Sequence, residues 1–467
     1  MRIVIVSFCL LVARPSPAAD LPEIDWPEVE REAQVHFAAL LGIDTSSPPG
    51  NETEAARYLQ AALENVGVAA ELFALEEARA NLVARIGGNG SKRPILIMAH
   101  TDVVGAEPAN WSSDPFTPTR RDGYIYGRGA IDDKDTVAAG LMLMLMLKRH
   151  GIRLDRDVIF LAEAGEEGTP ELGAQFMVDN HWDAIDAEYC LAEGGTTVSV
   201  NAKVSYVAIA TTEKFPMRVR LIARGTAGHG SIPRIDNAVT TLATAVAKLG
   251  DWQPPMRLNE TTAAYFERLA TISSAEDAAR YAALQDPGQR PSIERYLAEH
   301  EPQHYSLLRT SVVPTVMNAG FRMNVIPTEG EAILDIRALP DEQPEAFYAD
   351  MAAVINDPRV EIEPLPIYRP PGPPSGIDNE MFRALEAVTA RMYPGAVTLP
   401  AMLTGATDMA NVRAKGMQCY GLGPVQDIAD IGNAGGAHGD DERIAEGSLL
   451  ELVQFLWYAI LEVAAEP

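Results

Sequence analysis

Cysteine is scarce: three residues in 467, one of them, Cys9, close to the N-terminus. Cys190 and Cys419 each sit inside an apolar, strand-like segment, which predicts buried free thiols and excludes a disulfide-stapled scaffold. Basic residues are also few. Against 65 Asp and Glu there are 38 Lys and Arg, a formal net charge of −27. A phosphate backbone calls for a basic surface, so a nucleic-acid partner is excluded, and the acidity is read as solubilising. Beyond the N-terminus no apolar run is long enough for a transmembrane helix; the Met-rich stretch 137–147 stops at Lys148-Arg149 and reads as a buried helix. There is no internal repeat and no low-complexity tract. What remains is ordinary globular composition, 47% hydrophobic and 22% charged, at a length that suggests two or three domains.

The N-terminus differs from this average. Met1-Arg2 precedes an apolar run over residues 3–13, then Arg-Pro-Ser-Pro-Ala18-Ala19. A basic start, a short apolar core and small residues at a cleavage point predict a secretory signal over 1–19 and a secreted or periplasmic mature chain without a membrane span.

Read in order, residues 27–41 predict a helix, and residues 52–65 an amphipathic one stopped by Gly67. Short strands follow at 69–73, 81–86 and 94–100, with Gly87-Gly-Asn-Gly90 suited to a hairpin turn between the last two. A long helix opens after Gly127-Arg-Gly-Ala-Ile-Asp132-Asp133-Lys134. Buried strands at 157–162 and 188–192 end in Glu163-Ala-Gly-Glu166-Glu167 and Glu193-Gly-Gly, and Thr169-Pro170 begins another helix. Strands alternating with helices indicate an α/β domain with a mixed, largely parallel sheet flanked by helices. From about Thr211 the texture becomes α+β: a half-exposed strand at 217–224, a loop at Gly228-His229-Gly-Ser231, a helix at 237–249, a polar helical insertion at 257–307, and further strands at 312–317, 332–336 and 360–364. Arg369-Pro-Pro-Gly-Pro-Pro-Ser375 reads as a linker back, after which α/β character resumes, with a final helix from Ile444. The expected domains are therefore a catalytic part at 20–212, an inserted α+β domain at 213–372 and a second catalytic part at 373–467.

Chemistry gathers where strands end. His100 and Asp102 close the strand Ile95-Leu-Ile-Met-Ala-His100, and residues two apart on a strand share a face. Open α/β sheets place their sites at carboxyl ends of strands. Asp132, Glu166, Glu167 and Glu193 follow in similar positions, and His438 lies in the glycine-rich loop Asn433-Ala-Gly-Gly-Ala-His438-Gly. Any one of these acids could be a solvated loop residue. Together they are the donor set of two divalent transition metals with a bridging carboxylate, and bound cations would relieve the repulsion among them.

The runs His100-Thr-Asp102-Val-Val, Gly127-Arg-Gly-Ala-Ile-Asp132-Asp133-Lys134, Glu166-Glu167-Gly168, Glu193-Gly-Gly and Ala437-His438-Gly-Asp-Asp-Glu-Arg443-Ile resemble the co-catalytic zinc aminoacylase/carboxypeptidase family. That family includes acetylornithine deacetylase, succinyl-diaminopimelate desuccinylase and glutamate carboxypeptidase. The stretch from Asn110-Trp111 to Gly127-Arg-Gly, with the Glu193-Gly-Gly end, is most similar to the branch of carboxypeptidase S and N-fatty-acyl-amino-acid hydrolases. The resemblance implies a zinc-exopeptidase-like catalytic domain with an inserted lid and dimerisation domain. It implies two Zn²⁺, with Co²⁺ or Mn²⁺ as possible substitutes: His100 and Glu193 on one ion, Glu167 and His438 on the other, Asp132 bridging. Asp102 would orient His100, Glu166 would be the general base, and a cis peptide would follow Asp132. Physics alone does not choose Asp132 over Asp133 as the bridge. Asp135 stands where many relatives have glycine; as an acid at a helix start it suits the dipole.

In the lid, the resemblance implies that His229, Asn324 and Arg337 bind the substrate's carboxylate or oxyanion, His229 reaching across from the partner of a homodimer. The expected substrate is a peptide C-terminus or, alternatively, an N-acyl amino acid; an inactive metal-binding scaffold is the remote third reading. Gly127-Arg-Gly lacks the strand–helix context of a phosphate cradle, and Ser231 lacks a Ser/His/Asp setting. His36, His150, His181, His300 and His304 read as structural.

Overall fold

A computed structural model describes residues 22–431 and 435–466. The predicted signal segment, Cys9 and Asn433 lie outside the described residues. A ten-stranded sheet forms the centre, ordered Ala70–Ala74, Ala80–Ile86, Val158–Glu163, Ile95–His100, Tyr189–Ala192, Gln418–Gly421, Lys203–Glu213, Thr196–Val200 and Val425–Asp427, with Val397–Leu403 paired to Lys203–Glu213. Its middle is parallel: Ile95–His100 lies parallel to both neighbours, and Gln418–Gly421 continues the set. Antiparallel pairs lie toward both ends, although the outermost strand Val425–Asp427 runs parallel to Thr196–Val200, so the sheet is mixed and partly parallel.

Ile95–His100 is buried at every position, as an unbroken apolar run in the middle of a parallel sheet should be. One face is covered by the helices Trp26–Leu41, Glu52–Asn65, Lys134–Arg149 and Ser448–Ala464, whose apolar side chains form the largest core cluster. Lys134–Arg149 approaches the sheet closely through Gly140, where a Cβ would stand 2.5 Å from Phe160 Cε2. The opposite face is covered by Ala174–Asn180 and Met409–Ala414 around Cys190 and Cys419. These two cysteines are register partners on adjacent parallel strands, and both are buried free thiols.

A second, five-stranded antiparallel sheet is built from Phe215–Pro216, Val219–Arg224, Ser311–Ala319, Glu329–Ala338 and Val360–Pro364, with the helices Ala238–Asp251 and Pro344–Ile355 on its apolar side. The insertion expected over 257–307 is helical: Glu260–Ala270, Ala275–Ala283, Arg290–His300 and Pro302–Leu307. Among the described residues, no helix is long and apolar enough to cross a membrane.

Three local expectations need correction. Gly87–Gly90 is not a hairpin turn, because Val158–Glu163 lies between Ala80–Ile86 and Ile95–His100. The turn instead lies against the segment leading into that strand: Gly88 N–H donates to Asp157 Oδ1 (2.9 Å), and Asn89 N–H to the Leu154 carbonyl (2.8 Å). The last helix starts at Ser448, and Ile444 belongs to a short strand, Arg443–Ala445, paired with Tyr124–Tyr126. The strand Val397–Leu403 was missed in the sequence.

Candidate metal centre

His100 is placed by the central strand and is 1% exposed. Its Nδ1 lies 3.0 Å from the backbone carbonyl of Asp102, an oxygen that can only accept, so Nδ1 carries a proton and Nε2 is the nitrogen turned to the cleft. Nε2 lies 3.0 Å from Asp132 Oδ1. The other oxygen of Asp132 lies 3.2 Å from His438 Nε2, which is also 2.9 Å from Glu167 Oε1. One carboxylate thus faces two imidazoles, one through each oxygen. Donor atoms of His100, Asp132 and Glu167 lie within 4.8 Å of one another, as do those of His100, Glu166 and Glu193.

Asp132 does not end a strand of the central sheet. It lies in the turn between Tyr124–Tyr126 and the helix Lys134–Arg149, and the Asp132–Asp133 peptide is cis. Glu442 braces this turn, accepting from Arg128 Nη1 (2.6 Å) and from the N–H groups of Gly129 (3.1 Å) and Ile131 (2.9 Å). Asp102 supports its neighbours differently from expectation. Its carboxylate, 3.5 Å from His100 Nδ1, chiefly receives the adjacent N–H groups of Glu166 (Oδ1, 3.0 Å) and Glu167 (Oδ2, 3.0 Å). One buried aspartate therefore orients the histidine through its carbonyl and the two glutamates through its carboxylate.

The electrostatics follow from crowding acids in a buried place. Burial, followed by the neighbouring Glu166 charge, pushes the Glu193 carboxyl well up, and burial likewise raises Glu166. Burial also pushes Asp133 up to about 7. Burial opposes charge on His100, yet Asp102 and Asp132 outweigh it and hold the imidazole well above its ordinary range. Asp132 and then Glu167 raise His438 to about 10. Asp135 lies in the first turn of Lys134–Arg149, the helix start expected from the sequence. It is fully buried, neither oxygen has a hydrogen-bond partner within the described residues, and burial then Asp133 drive its carboxyl upward.

Several groups here went unnoticed in the sequence. Arg369, from the proline-rich linker, donates through Nη2 to Glu166 Oε1 and through Nε to Asp408 Oδ1. Glu163, His100's register partner on the next strand, is buried with Oε2 unpaired among the described residues. Glu213 accepts from Thr407 Oγ1 and pairs with buried Arg413. The sole signal for Arg369 was an arginine opening a run of prolines.

A cleft of about 520 Å³ is lined by Asp132, Glu166, Glu167, Glu193 and His438 on one side and by Arg218, Arg337, Tyr368 and Arg369 on the other. Arg337 thus meets the metal-ligand candidates. His229 and Asn324 do not line this cleft. They adjoin one another on the second sheet's side, where Gly228–His229 pairs with Val325–Ile326 and Gly230 N–H donates to the Asn324 carbonyl (2.9 Å); both are exposed. A second cavity of about 430 Å³ shares Asp132 and Glu193 with the cleft; its other walls mix Asp133, Thr136, Thr196 and Gln426 with Ile131, Leu422, Pro424, Ala437 and glycines.

Residues 96–462 match Peptidase family M20/M25/M40. The chain belongs to this family. It is 29% identical over 384 residues to a probable carboxypeptidase S-like protein of Dictyostelium discoideum, covering 80% of this chain and 72% of the relative. It is also 29% identical over 381 residues to an N-fatty-acyl-amino acid synthase/hydrolase of Xenopus tropicalis, covering 79% and 72%. Among solved structures, an M20 family metallo-carboxypeptidase of Sulfolobus solfataricus superposes with a TM-score of 0.68 at 19% identity, over 92% of this chain and 99% of that one. The family resemblance and the mixed α/β fold are as expected, and the M20 chain is a metal-dependent hydrolase of the carboxypeptidase/aminoacylase type. Its donor set suits the metal: two imidazoles, one carboxylate facing both, and further carboxylates whose mutual repulsion a cation would relieve.

Proposed function

We propose that the protein cleaves an amide bond next to a free carboxylate, as a carboxypeptidase on peptides, using two zinc ions. The observation that carries this is Asp132, whose two oxygens face different histidines, a geometry suited to bridging two ions. His100 and Glu193 would hold one ion, Glu167 and His438 the other; cobalt or manganese would suit the same donors. The ions, when bound, supply Lewis acidity toward the scissile carbonyl and lower the pKa of water.

The chain's own groups do the rest. Glu166, facing the cleft beside these donors, takes the proton from water and returns it to the leaving amine. Arg337 and Arg218 line the same cleft, with Asp335 accepting from the Nε of each (3.0 and 3.3 Å). Planar guanidinium groups suit a substrate carboxylate. The second cavity meets the cleft at Asp132 and Glu193, so an amide held there would have one half on each side. The walls of that cavity, with Thr136, Thr196 and Gln426 beside Ile131, Leu422 and Pro424, suit a peptide residue; an acyl chain is the alternative occupant, which would make the protein an N-acyl-amino-acid amidohydrolase.

His229 and Asn324, outside this chain's own cleft, would serve the partner's site in a homodimer. The edge strand Ser311–Ala319, which carries exposed Val313, Val316 and Met317, and the nearby exposed Phe321 and Met323 would form the interface. The signal-like N-terminus supports export. The test is release of free amino acid from dipeptides and N-acyl amino acids, with and without a chelator. Chelator-sensitive release from dipeptides supports the proposal. Release from N-acyl amino acids alone moves it to the aminoacylase type, and no release from either leaves the scaffold reading.

A further inference from the structure

Glu166 and Glu167 are consecutive, yet their carboxylates serve different partners. Asp102 holds both N–H groups, one on each oxygen, and so fixes the peptide between them without favouring either side chain. Glu167 is drawn to His438 at 2.9 Å. Glu166 is drawn elsewhere by one guanidinium: Arg369 Nη2 donates both to the Glu166 carbonyl oxygen and to Glu166 Oε1, each at 2.5 Å. That pair of bonds ties the side chain back to its own backbone and leaves a single orientation. Arg369 is anchored in turn, its Nε donating to Asp408 Oδ1 at 3.1 Å, and Asp408 is 1% exposed.

The arginine arrives on a stiff segment. Arg369-Pro-Pro-Gly-Pro-Pro leads from Val360–Pro364, an edge of the second sheet, to the helix Glu380–Met392 of the catalytic part. Four prolines restrict its φ angles. Gly372 lets it lie on Arg413, where a Cβ would stand 3.1 Å from Arg413 Cγ.

We propose that Arg369 is the positioning residue of the general base, holding the Glu166 carboxylate in the cleft while Glu167 turns to His438, and that it links the orientation of the base to the segment leading out of the lid. This rests on the reading of Glu166 as the base. The rival role for Arg369, which also lines the cleft, is to anchor the substrate carboxylate. The two roles separate in kinetics: a positioning group acts on kcat, a uniform binding group on KM.

The experiment measures kcat and KM for a dipeptide on the zinc-loaded protein for wild type, Glu166→Gln, Arg369→Ala and Arg369→Lys, with bound zinc counted in each. Arg369→Ala should lower kcat about 10²-fold, the usual penalty of misplacing a reacting group by an ångström or so. KM should stay within about 3-fold and the zinc content should not change. Arg369→Lys should recover about 10-fold of the loss, because an ammonium can hold Oε1 but lacks the fork that also reaches Asp408. A rise in KM with kcat unchanged would make Arg369 a substrate anchor and overturn the proposal. So would a wild-type kcat in Arg369→Ala while Glu166→Gln is inactive. Wild-type turnover in Glu166→Gln would instead remove the base assignment itself, a distinguishable failure. If Arg369→Ala does not fold, the kcat-to-KM split in Arg369→Lys decides.

Discussion

Asp102→Asn should weaken the fold and the site together, by an amount the geometry sets. Both carboxylate oxygens of Asp102 receive buried N–H groups, from Glu166 and Glu167, each at 3.0 Å. Asparagine offers one acceptor and one NH2 at nearly the same positions. Whichever way the amide turns, one N–H keeps an oxygen and the other faces a donor. A charge-assisted hydrogen bond is lost and a buried donor is left unsatisfied, together about 2–4 kcal/mol. The contact from the Asp102 carbonyl to His100 Nδ1 is main-chain and survives, while the carboxylate charge 3.5 Å from that nitrogen is lost. Urea unfolding of the metal-stripped protein at pH 7 measures the stability loss, and dipeptide hydrolysis of the zinc-loaded protein should fall by at least about 10²-fold as the Glu166–Glu167 turn shifts. If the unfolding free energies agree within about 0.5 kcal/mol and the rates agree within a few-fold, Asp102 does not organise the two glutamates.

Further outcomes follow from other groups. Lys214 is buried, donates from Nζ to Ser306 Oγ (3.1 Å), and is pushed down to about 7 by burial and then by Arg309 and Arg337. The unfolded chain keeps this proton to about pH 10.4 while the folded chain releases it above about 7, so this group makes stability rise over that window. Lys214→Met should therefore be more stable by up to about 4 kcal/mol near pH 7, with the gap narrowing by pH 10 in paired urea titrations. A gap independent of pH would show that Lys214 stays charged. Metal removal should abolish turnover and lower the melting temperature by several degrees, with both restored by zinc, because ions bound only to the folded state stabilise it; a chelator without effect on either would count against a metal role. Met317→Glu on the exposed edge strand should turn a dimer into a monomer by light scattering and lose activity with it if His229 acts across the interface. A fully active wild-type monomer would remove that part of the proposal.

Much of the centre was legible in the sequence because strand ends are local features. The run Ile95–His100 announces a buried strand, and the acids after the next strands announce a common edge, without knowledge of which strand lies beside which. The helix Glu52–Asn65 has the bounds its amphipathic pattern and Gly67 suggest. Pairing is another matter. Nothing near Gly87–Gly90 reveals that a strand some seventy residues later, Val158–Glu163, will separate its two neighbours. Apolar periodicity identifies a strand but not its partner, and the partner decided the outcome. The small sheet that braces the Asp132 turn joins Tyr124–Tyr126 to Arg443–Ala445 for the same unreadable reason. Arg369 was hidden differently: its neighbours are all loop formers, and its function arises only from a contact to Glu166 some two hundred positions away. Asp135 opens the helix Lys134–Arg149 as its local pattern suggests, but only the packing around it shows that it is buried.

The proposed bridging role of Asp132 is tested most directly by zinc titration of the metal-stripped protein, following release of the C-terminal amino acid from a dipeptide. Activity should reach its plateau at two ions per chain. Glu166→Gln should still bind two ions without turnover, and Asp132→Asn should lose the tight binding of both. Full activity at one ion per chain, or an unchanged titration in Asp132→Asn, would contradict the bridging role.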